Sequence, residues 1–225
     1  MLAHEHMWGV VLASGHEARL PLALDRLARV IPPERMIAVA REGMNVCAAA
    51  AELIEEPADR GTAVAALVAA MHAHEFDPFA VLVVQPSLDP PGLDRRRIVT
   101  LEGACRLAEH SDDQVLMIGR PQPVLLVARA LALVERGRQA FPGAAPWLDT
   151  YQQVLHAVTS GRAGRGHLRM ALSHLYSRLP QAGYGPLTVL GAAAPHGGVP
   201  PGGHQPTGTR RSLRSSAPSR LSILH

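Results

Sequence analysis

A small-residue turn, Ser14-Gly15, follows directly on the apolar run Met7-Trp8-Gly9-Val10-Val11-Leu12-Ala13, and Arg19 comes four residues after it. An apolar, Val-rich run ending in such a turn reads as a buried strand of a parallel sheet. Ser14 and Gly15 let the backbone turn tightly, so that its N–H groups can point at an anion, and a planar guanidinium at Arg19 can grip phosphate oxygens. That is the chemistry of a nucleotide-phosphate cradle; the competing reading is an ordinary turn followed by a surface arginine. A second group, Arg60-Gly61-Thr62, stands where an Ala-rich helix should begin. It can hold a phosphate or a base edge at a helix N-terminus, or serve as a cap with Thr62 at the N-cap and Arg60 in solvent. Glu56 just upstream can reach a ribose or base, or stand as an exposed loop carboxylate.

The composition narrows the chemistry. The 225 residues contain no lysine, so every basic group is Arg or His. Mechanisms that need an ammonium, such as a P-loop or a Schiff base, are excluded. The net charge of +3 lies partly in Arg210, Arg211, Arg214 and Arg220, a pattern that does not call for a nucleic-acid partner. Twelve histidines invite a metal reading that their spacing does not support. His72 and His74, two apart on a helix, point to different faces. Ser14 and Ser87 lack the local signature of an activated nucleophile. Cys47 and Cys105 are isolated, which fits reduced thiols and a cytoplasmic protein; pairing them would need a proximity that sequence does not reveal. Residues 1–6 do not read as a signal peptide, and no run of about twenty apolar residues suggests a membrane span.

The elements that must position these groups alternate. A strand ending at Ala13 leads to a helix over residues 21–30, a strand over 36–40, an Ala-rich helix over 45–53 and a short strand from 53 that delivers Glu55 and Glu56. A helix over 63–74, a strand over 79–84, a helix over 94–110 and a strand over 114–118 follow. From 124 a short apolar stretch precedes a helix over 128–140, and two further helices cover 146–159 and 167–177. This βα alternation predicts a Rossmann-like, three-layer α/β domain with a mostly parallel sheet and a helical C-terminal part. A ligand should sit at the carboxyl ends of its strands, where the Ser14-Gly15 loop and Pro86-Ser87 both fall. Residues 1–190 read as this domain and 191–225, rich in Gly, Pro, Ser and Arg without periodicity, as a disordered tail.

The opening loop resembles the Leu-Ala-Gly-Gly-x-Gly-x-Arg-Leu signature of sugar-phosphate nucleotidyltransferases, in particular the mannose-1-phosphate guanylyltransferases. Leu12, Ala13, Gly15, Arg19 and Leu20 match it, while Ser14 replaces a glycine and Glu17-Ala18 stand where Gly-Thr is usual. In order downstream, Ile31-Pro32-Pro33-Glu34-Arg35-Met36 resembles the approach to the family's second strand. Glu56-Pro57-Ala58-Asp59-Arg60-Gly61-Thr62-Ala63 is similar to its Pro-x-x-Arg-x-Thr-Ala motif. Val81-Leu82-Val83-Val84-Gln85-Pro86-Ser87 resembles the strand ending in Pro-Ser-Asp-His, and Leu116-Met117-Ile118-Gly119-Arg120-Pro121 its Gly-Ile-x-Pro strand.

The resemblance implies transfer of a nucleotidyl group from GTP to a sugar-1-phosphate, mannose-1-phosphate giving GDP-mannose, with release of pyrophosphate and with Mg²⁺ as cofactor. It implies phosphate contact at Arg19, nucleotide contact at Ala13, Ser14, Gly15, Glu56, Arg60, Gly61 and Thr62, and a metal ligand at Asp89, one place later than the family's aspartate because Leu88 occupies that position. The family's Pro-Lys and Glu-Lys-Pro lysines, its Tyr-Gly-x-Ile segment and its late metal-binding Asp have no counterpart. Two alternatives therefore stand beside catalysis: a nucleotide-binding or regulatory relative without turnover, and a decayed gene product.

Overall fold

The computed structural model describes residues 5–13, 17–44, 52–87, 93–111, 114–118, 125–180 and 222–224. Its frame is a seven-stranded sheet in the order β3-β2-β1-β4-β6-β5-β7. The strands are β1 (Met7–Leu12), β2 (Met36–Arg41), β3 (Glu52–Glu56), β4 (Val81–Pro86), β5 (Val115–Ile118), β6 (Leu125–Arg129) and β7 (Ser222–Leu224). β1 to β4 pair in parallel, β6 runs antiparallel to both β4 and β5, and β7 pairs in parallel with β5. Helices cover both faces, so the Rossmann-like α/β architecture expected from the alternation is the one observed, with a single antiparallel strand inside the sheet.

The alternation of side chains along β1 divides the core in two. Trp8, Val10 and Leu12 face one layer, and Met7, Val11 and Ala13 face the other. On the second face lie α1 (Leu20–Leu27) and α3 (Arg95–Glu109). Gly9 lets α1 close in: a β-carbon there would stand 2.7 Å from Leu27 Cδ2. On the first face α2 (Thr62–Phe76) is sandwiched between the sheet and the C-terminal helices α4 (Ala130–Ala140) and α5 (Ala145–Thr159), and α6 (Arg165–Arg178) packs on α5. Twelve consecutive residues of α2, Thr62 to Ala73, are buried. A helix apolar all round is stable only when enclosed on every side, and the alanines of α2 let its neighbours approach. Gly137 of α4 does the same from across the contact, since a β-carbon there would lie 2.4 Å from Leu67 Cδ1.

Several boundaries differ from the sequence reading. Glu52 and Leu53, expected at the end of an Ala-rich helix, belong to β3, where pairing with β2 overrides helix propensity; residues 45–51 lie outside the described residues. The expected strand from Phe79 starts only at Val81. The Asp77 carboxylate accepts from the Phe79 N–H at 2.9 Å, and the Ala80 N–H reaches the Asp77 carbonyl at 2.9 Å, so this stretch is a turn. Residues 128 and 129, expected in a helix, extend β6 through its pairing with β4. The cap of α2 is Gly61, at φ +92°, rather than Thr62, which already lies in the first turn. Within the stretch expected to be a disordered tail, Ser222–Leu224 is described as an edge strand.

One buried base in α2 carries a pH dependence. His72 is 2% exposed, and burial lowers its pKa from 6.5 to about 4. The ring faces Tyr151 of α5 and Glu52 of β3. It stays neutral in the folded chain and protonates more readily when unfolded, so stability is full above about pH 6.5 and declines as the pH falls toward 4. The span between those values corresponds to about 3 kcal/mol. Urea unfolding measured across roughly pH 4–7 will show that loss in the wild type and a flatter profile in His72→Phe.

Candidate functional site

The sheet order places the switch point between β1 and β4, because the chain winds outward through β2 and β3 before returning on the other side of β1. The two strand ends are locked together there. Leu12 lies opposite Pro86, the Ser87 N–H donates to the Leu12 carbonyl at 2.8 Å, and Ser87 Oγ donates to the Ala13 carbonyl at 3.0 Å. From the other side, the Ala13 N–H donates to the Val39 carbonyl of β2 at 2.8 Å. Ala13 is therefore the last fully tied residue before the chain leaves the sheet. Ser14, Gly15 and Asp89 lie outside the described residues. The chain re-enters in a 3₁₀ turn over Glu17–Arg19, and Leu20 seats α1 on the core. Arg19 is exposed at the start of α1, with no side-chain cap bond. A guanidinium there stands at the positive end of the helix dipole.

The same strand end holds a residue that the sequence reading treated only as a strand stop. Gln85 pairs with Val11, is fully buried, and has no hydrogen-bond partner among the described residues for either side-chain polar atom. By alternation along β4 it faces the side that Val11 and Ala13 face. A buried amide without partners costs about 1–3 kcal/mol, and such orphans call for an explanation. The only cue in the sequence is one amide in an otherwise apolar strand.

The second group sits two strands away, about 10 Å across the sheet, where β3 ends and α2 begins. Glu56 is 4% exposed and accepts a hydrogen bond from the Tyr176 hydroxyl of α6. Burial, and then the adjacent Glu56 carboxylate, push the Tyr176 hydroxyl well above its ordinary pKa, so it remains a donor. Arg60 Nε donates to the Tyr176 carbonyl at 3.1 Å, in the last turn of α6, where helix carbonyls lack internal partners. The Gly61 N–H donates to Asp59 Oδ1 at 2.9 Å, and Thr62 is buried. Glu56, Arg60, Gly61 and Thr62 are thus brought together, and Tyr176 joins them from 120 residues away in sequence. In these contacts Glu56 and Arg60 clamp α6 onto the sheet edge. Glu56 is buried rather than an exposed loop carboxylate, and the Gly61 N–H is already engaged by Asp59.

Elsewhere, Cys105 is a free, buried thiol whose pKa burial pushes up to about 12, which makes it unreactive at neutral pH. Among the described residues, no three His, Cys, Asp or Glu side chains gather as a metal-holding group, and no helix is long and apolar enough to cross a membrane.

Opposite stability effects follow at the two groups. Tyr176→Phe removes the donor to a buried carboxylate and should destabilise the chain by about 2 kcal/mol. Gln85→Met removes an orphaned amide and should stabilise it by about 1 kcal/mol. Thermal and urea unfolding of the two variants checks both signs.

No protein-family model matches the chain, and no curated protein matches it significantly. Among solved structures, it is similar to one from Thermus thermophilus described as a mannose-1-phosphate geranyltransferase. The sequence identity is 17% and the TM-score 0.55, covering 79% of this chain and 69% of that one. A mannose-6-phosphate isomerase from Helicobacter pylori also matches, at 11% identity and a TM-score of 0.45, over 66% of this chain and 80% of that one. At 17% identity the first likeness carries the fold alone, and that fold is the Rossmann-like α/β architecture described above.

Proposed function

We propose that the crevice at the carboxyl ends of β1 and β4 binds a nucleoside triphosphate, and that the chain is a nucleotidyltransferase-like protein acting with GTP and a sugar-1-phosphate, mannose-1-phosphate in the first instance. The observation that carries this reading is the switch point itself. There the Ala13–Ser87 lock ends the described part of β1, Arg19 stands at the head of α1, and the Gln85 amide has no partner among the described residues. The resemblance of the loop to the nucleotidyltransferase signature agrees with this place in the fold.

In the reaction, an oxygen of the sugar phosphate attacks the α-phosphorus of GTP. The bond from that phosphorus to the bridging oxygen breaks, and pyrophosphate leaves with the electron pair. Little covalent chemistry falls to the protein, whose task is to align two anions and offset their charge. The backbone of Ser14 and Gly15 cradles the triphosphate next to Ala13, whose own N–H is already engaged by the Val39 carbonyl, and Arg19 neutralises it. Mg²⁺ belongs to this proposal as a companion of the triphosphate, supplying charge neutralisation, with Asp89 as its protein carboxylate. A Mg²⁺ ion held by one or two carboxylates and substrate phosphates needs no preformed cluster. Glu56, Arg60, Gly61 and Thr62 border the nucleotide on the β3 side.

The absence of lysine favours a second reading, nucleotide binding without turnover, because the charges that the family's lysines supply are missing. One experiment separates the two. Thermal stabilisation by GTP and by ATP is measured with and without Mg²⁺ for the wild type and Arg19→Ala, alongside pyrophosphate release on adding mannose-1-phosphate. Stabilisation by GTP is expected, with Arg19→Ala binding more weakly by on the order of ten- to a hundredfold, as for loss of a charged hydrogen bond. Pyrophosphate release identifies the enzyme, and stabilisation without release identifies the binding protein. No stabilisation by either nucleotide overturns both readings, and equal binding by the two proteins removes Arg19 from the site.

A further inference from the structure

The outward face of α3 departs from what a helix facing only solvent should carry. Leu101, Ala104, Cys105 and Ala108 hold its inner side against the core. At 3.6 residues per turn, Arg96, Val99, Gly103, Leu107 and His110 fall within about 40° of a single line on the opposite side. Val99 is 62% exposed and Leu107 41%, so the middle of that line is apolar. Between them Gly103 leaves a gap, where an added β-carbon would meet nothing within 4 Å. Large apolar side chains on either side of a glycine admit a second helix at close range.

The charges on α3 are placed as oddly as its apolar groups. Arg95, Arg96 and Arg97 fill the first turn, where the helix dipole is already positive, and the Asp94 cap is the one acid beside them. Glu109 stands in the last turn, where the dipole is negative. Within one helix that distribution is unfavourable. An antiparallel partner reverses it, because the arginines of each helix then lie beside the last turn of the other.

We propose that α3 is a self-association surface, through which two copies of the chain form an antiparallel helix pair on a two-fold axis at Gly103. With the axis there, Val99 lies opposite the partner's Leu107, each four residues from Gly103. The axis also turns each flank of α3 onto the same flank of the partner. Arg95, Glu102, Arg106 and Glu109 share one flank. Arg95 comes level with the partner's Glu109, and Glu102 with the partner's Arg106, each to within about 3 Å along the helix. The two Glu102 carboxylates approach each other as well, and the two Arg106 guanidiniums on either side offset them. Arg106 and Glu109 also hold interactions within their own chain, which a guanidinium fork and a two-oxygen carboxylate can share. Farther out, His110 Nδ1 lies 2.7 Å from the Arg106 carbonyl and so donates to it, leaving Nε2 to accept from the partner's Arg96.

A parallel pair would set the two arginine turns side by side, so sign as well as shape selects the antiparallel arrangement. A closed two-fold dimer is also the commonest form of self-association. Two helices of 15 residues, each about 22 Å long, bury less surface than a permanent dimer requires. The dimer is accordingly weak, with a Kd on the order of 10 µM. The pairing is independent of the nucleotide crevice and of what binds there.

Sedimentation velocity of the full chain, at concentrations on both sides of that Kd, should show the wild type passing from monomer to dimer. Val99→Asp and Leu107→Asp, at exposed positions, should each weaken the dimer roughly a hundredfold. Glu102→Arg alone and Arg106→Glu alone should each weaken it about tenfold. Mixed together, those two variants should form a heterodimer at least as tight as the wild type, because opposite charges again alternate across the axis. Gly103→Cys should give a disulfide-linked dimer under mild oxidation, since two cysteines on the axis are within bridging reach. Thr150→Cys, exposed on α5, should not. The proposal is overturned by a wild type that stays monomeric roughly tenfold above that Kd. It is equally overturned by a dimer that survives both apolar variants, by a charge-variant mixture that associates no better than its components, or by Gly103→Cys that does not cross-link. A monomeric chain that binds a different protein on α3 overturns it too. Replacing a mid-helix glycine favours the helix, so the cross-linking test stands even if an apolar variant misfolds.

Discussion

The enclosure of α2 is the constraint from which most of the remaining arrangement follows. A helix with twelve consecutive buried residues has no face to offer to water, so the sheet alone cannot complete it. The chain after β6 supplies the missing cover: α4 closes against it at Gly137, α5 packs beside α4, and α6 packs on α5. The C-terminal helices are thus the outer wall of the same core rather than an appendage. Small side chains make the fit possible, because an Ala-rich helix brings its neighbours close and leaves little slack at the contacts.

Enclosure also decides what happens to the polar groups that the edge strand carries inward. The inward face of β3 presents Glu52, Ile54 and Glu56. An acid on such a face must find a donor or stay unfavourably desolvated. Glu56 finds Tyr176. Glu52 meets His72 at a distance too long for a direct bond, and burial raises its pKa against the opposing pull of Arg165. One carboxylate has become a clamp between strand and helix. The other, together with a neutral histidine, lines open space.

The two ends of α2 therefore have different chemistry. Toward the carboxyl edge of the sheet, β1 and β4 are tied by the bonds of Ala13 and Ser87 at the switch point of the strand order. Toward the opposite edge lies a cavity lined by Glu52, His72, Phe76, Tyr151 and Leu155. The first belongs to the general logic of open α/β sheets. The second is particular to this chain.

Much of the frame was legible from local pattern. The apolar runs of β1, β2 and β4 and the Ala-rich run of α2 are set by local pattern. The boundaries that sequence misplaced are those decided by partners. Glu52 and Leu53 are drawn into a strand by β2, residues 128 and 129 by β4, and Phe79 is held in a turn by the Asp77 side chain. The direction of β6 was equally out of reach, since nothing local marks a strand as antiparallel. By itself, the sequence determined that the chain is an α/β protein without lysine chemistry, whose first strand is a buried apolar run. Those are properties of composition and of short-range spacing. Only the tertiary structure decided that Glu56 would be buried against Tyr176, that Gln85 would lie opposite Val11 with no partner among the described residues, and that Glu52 and Tyr151 would both meet His72. Each of these joins residues from different elements, 120 positions apart in the first case and 79 between His72 and Tyr151. Such meetings depend on how helices pack over the sheet, and no spacing along the chain encodes them.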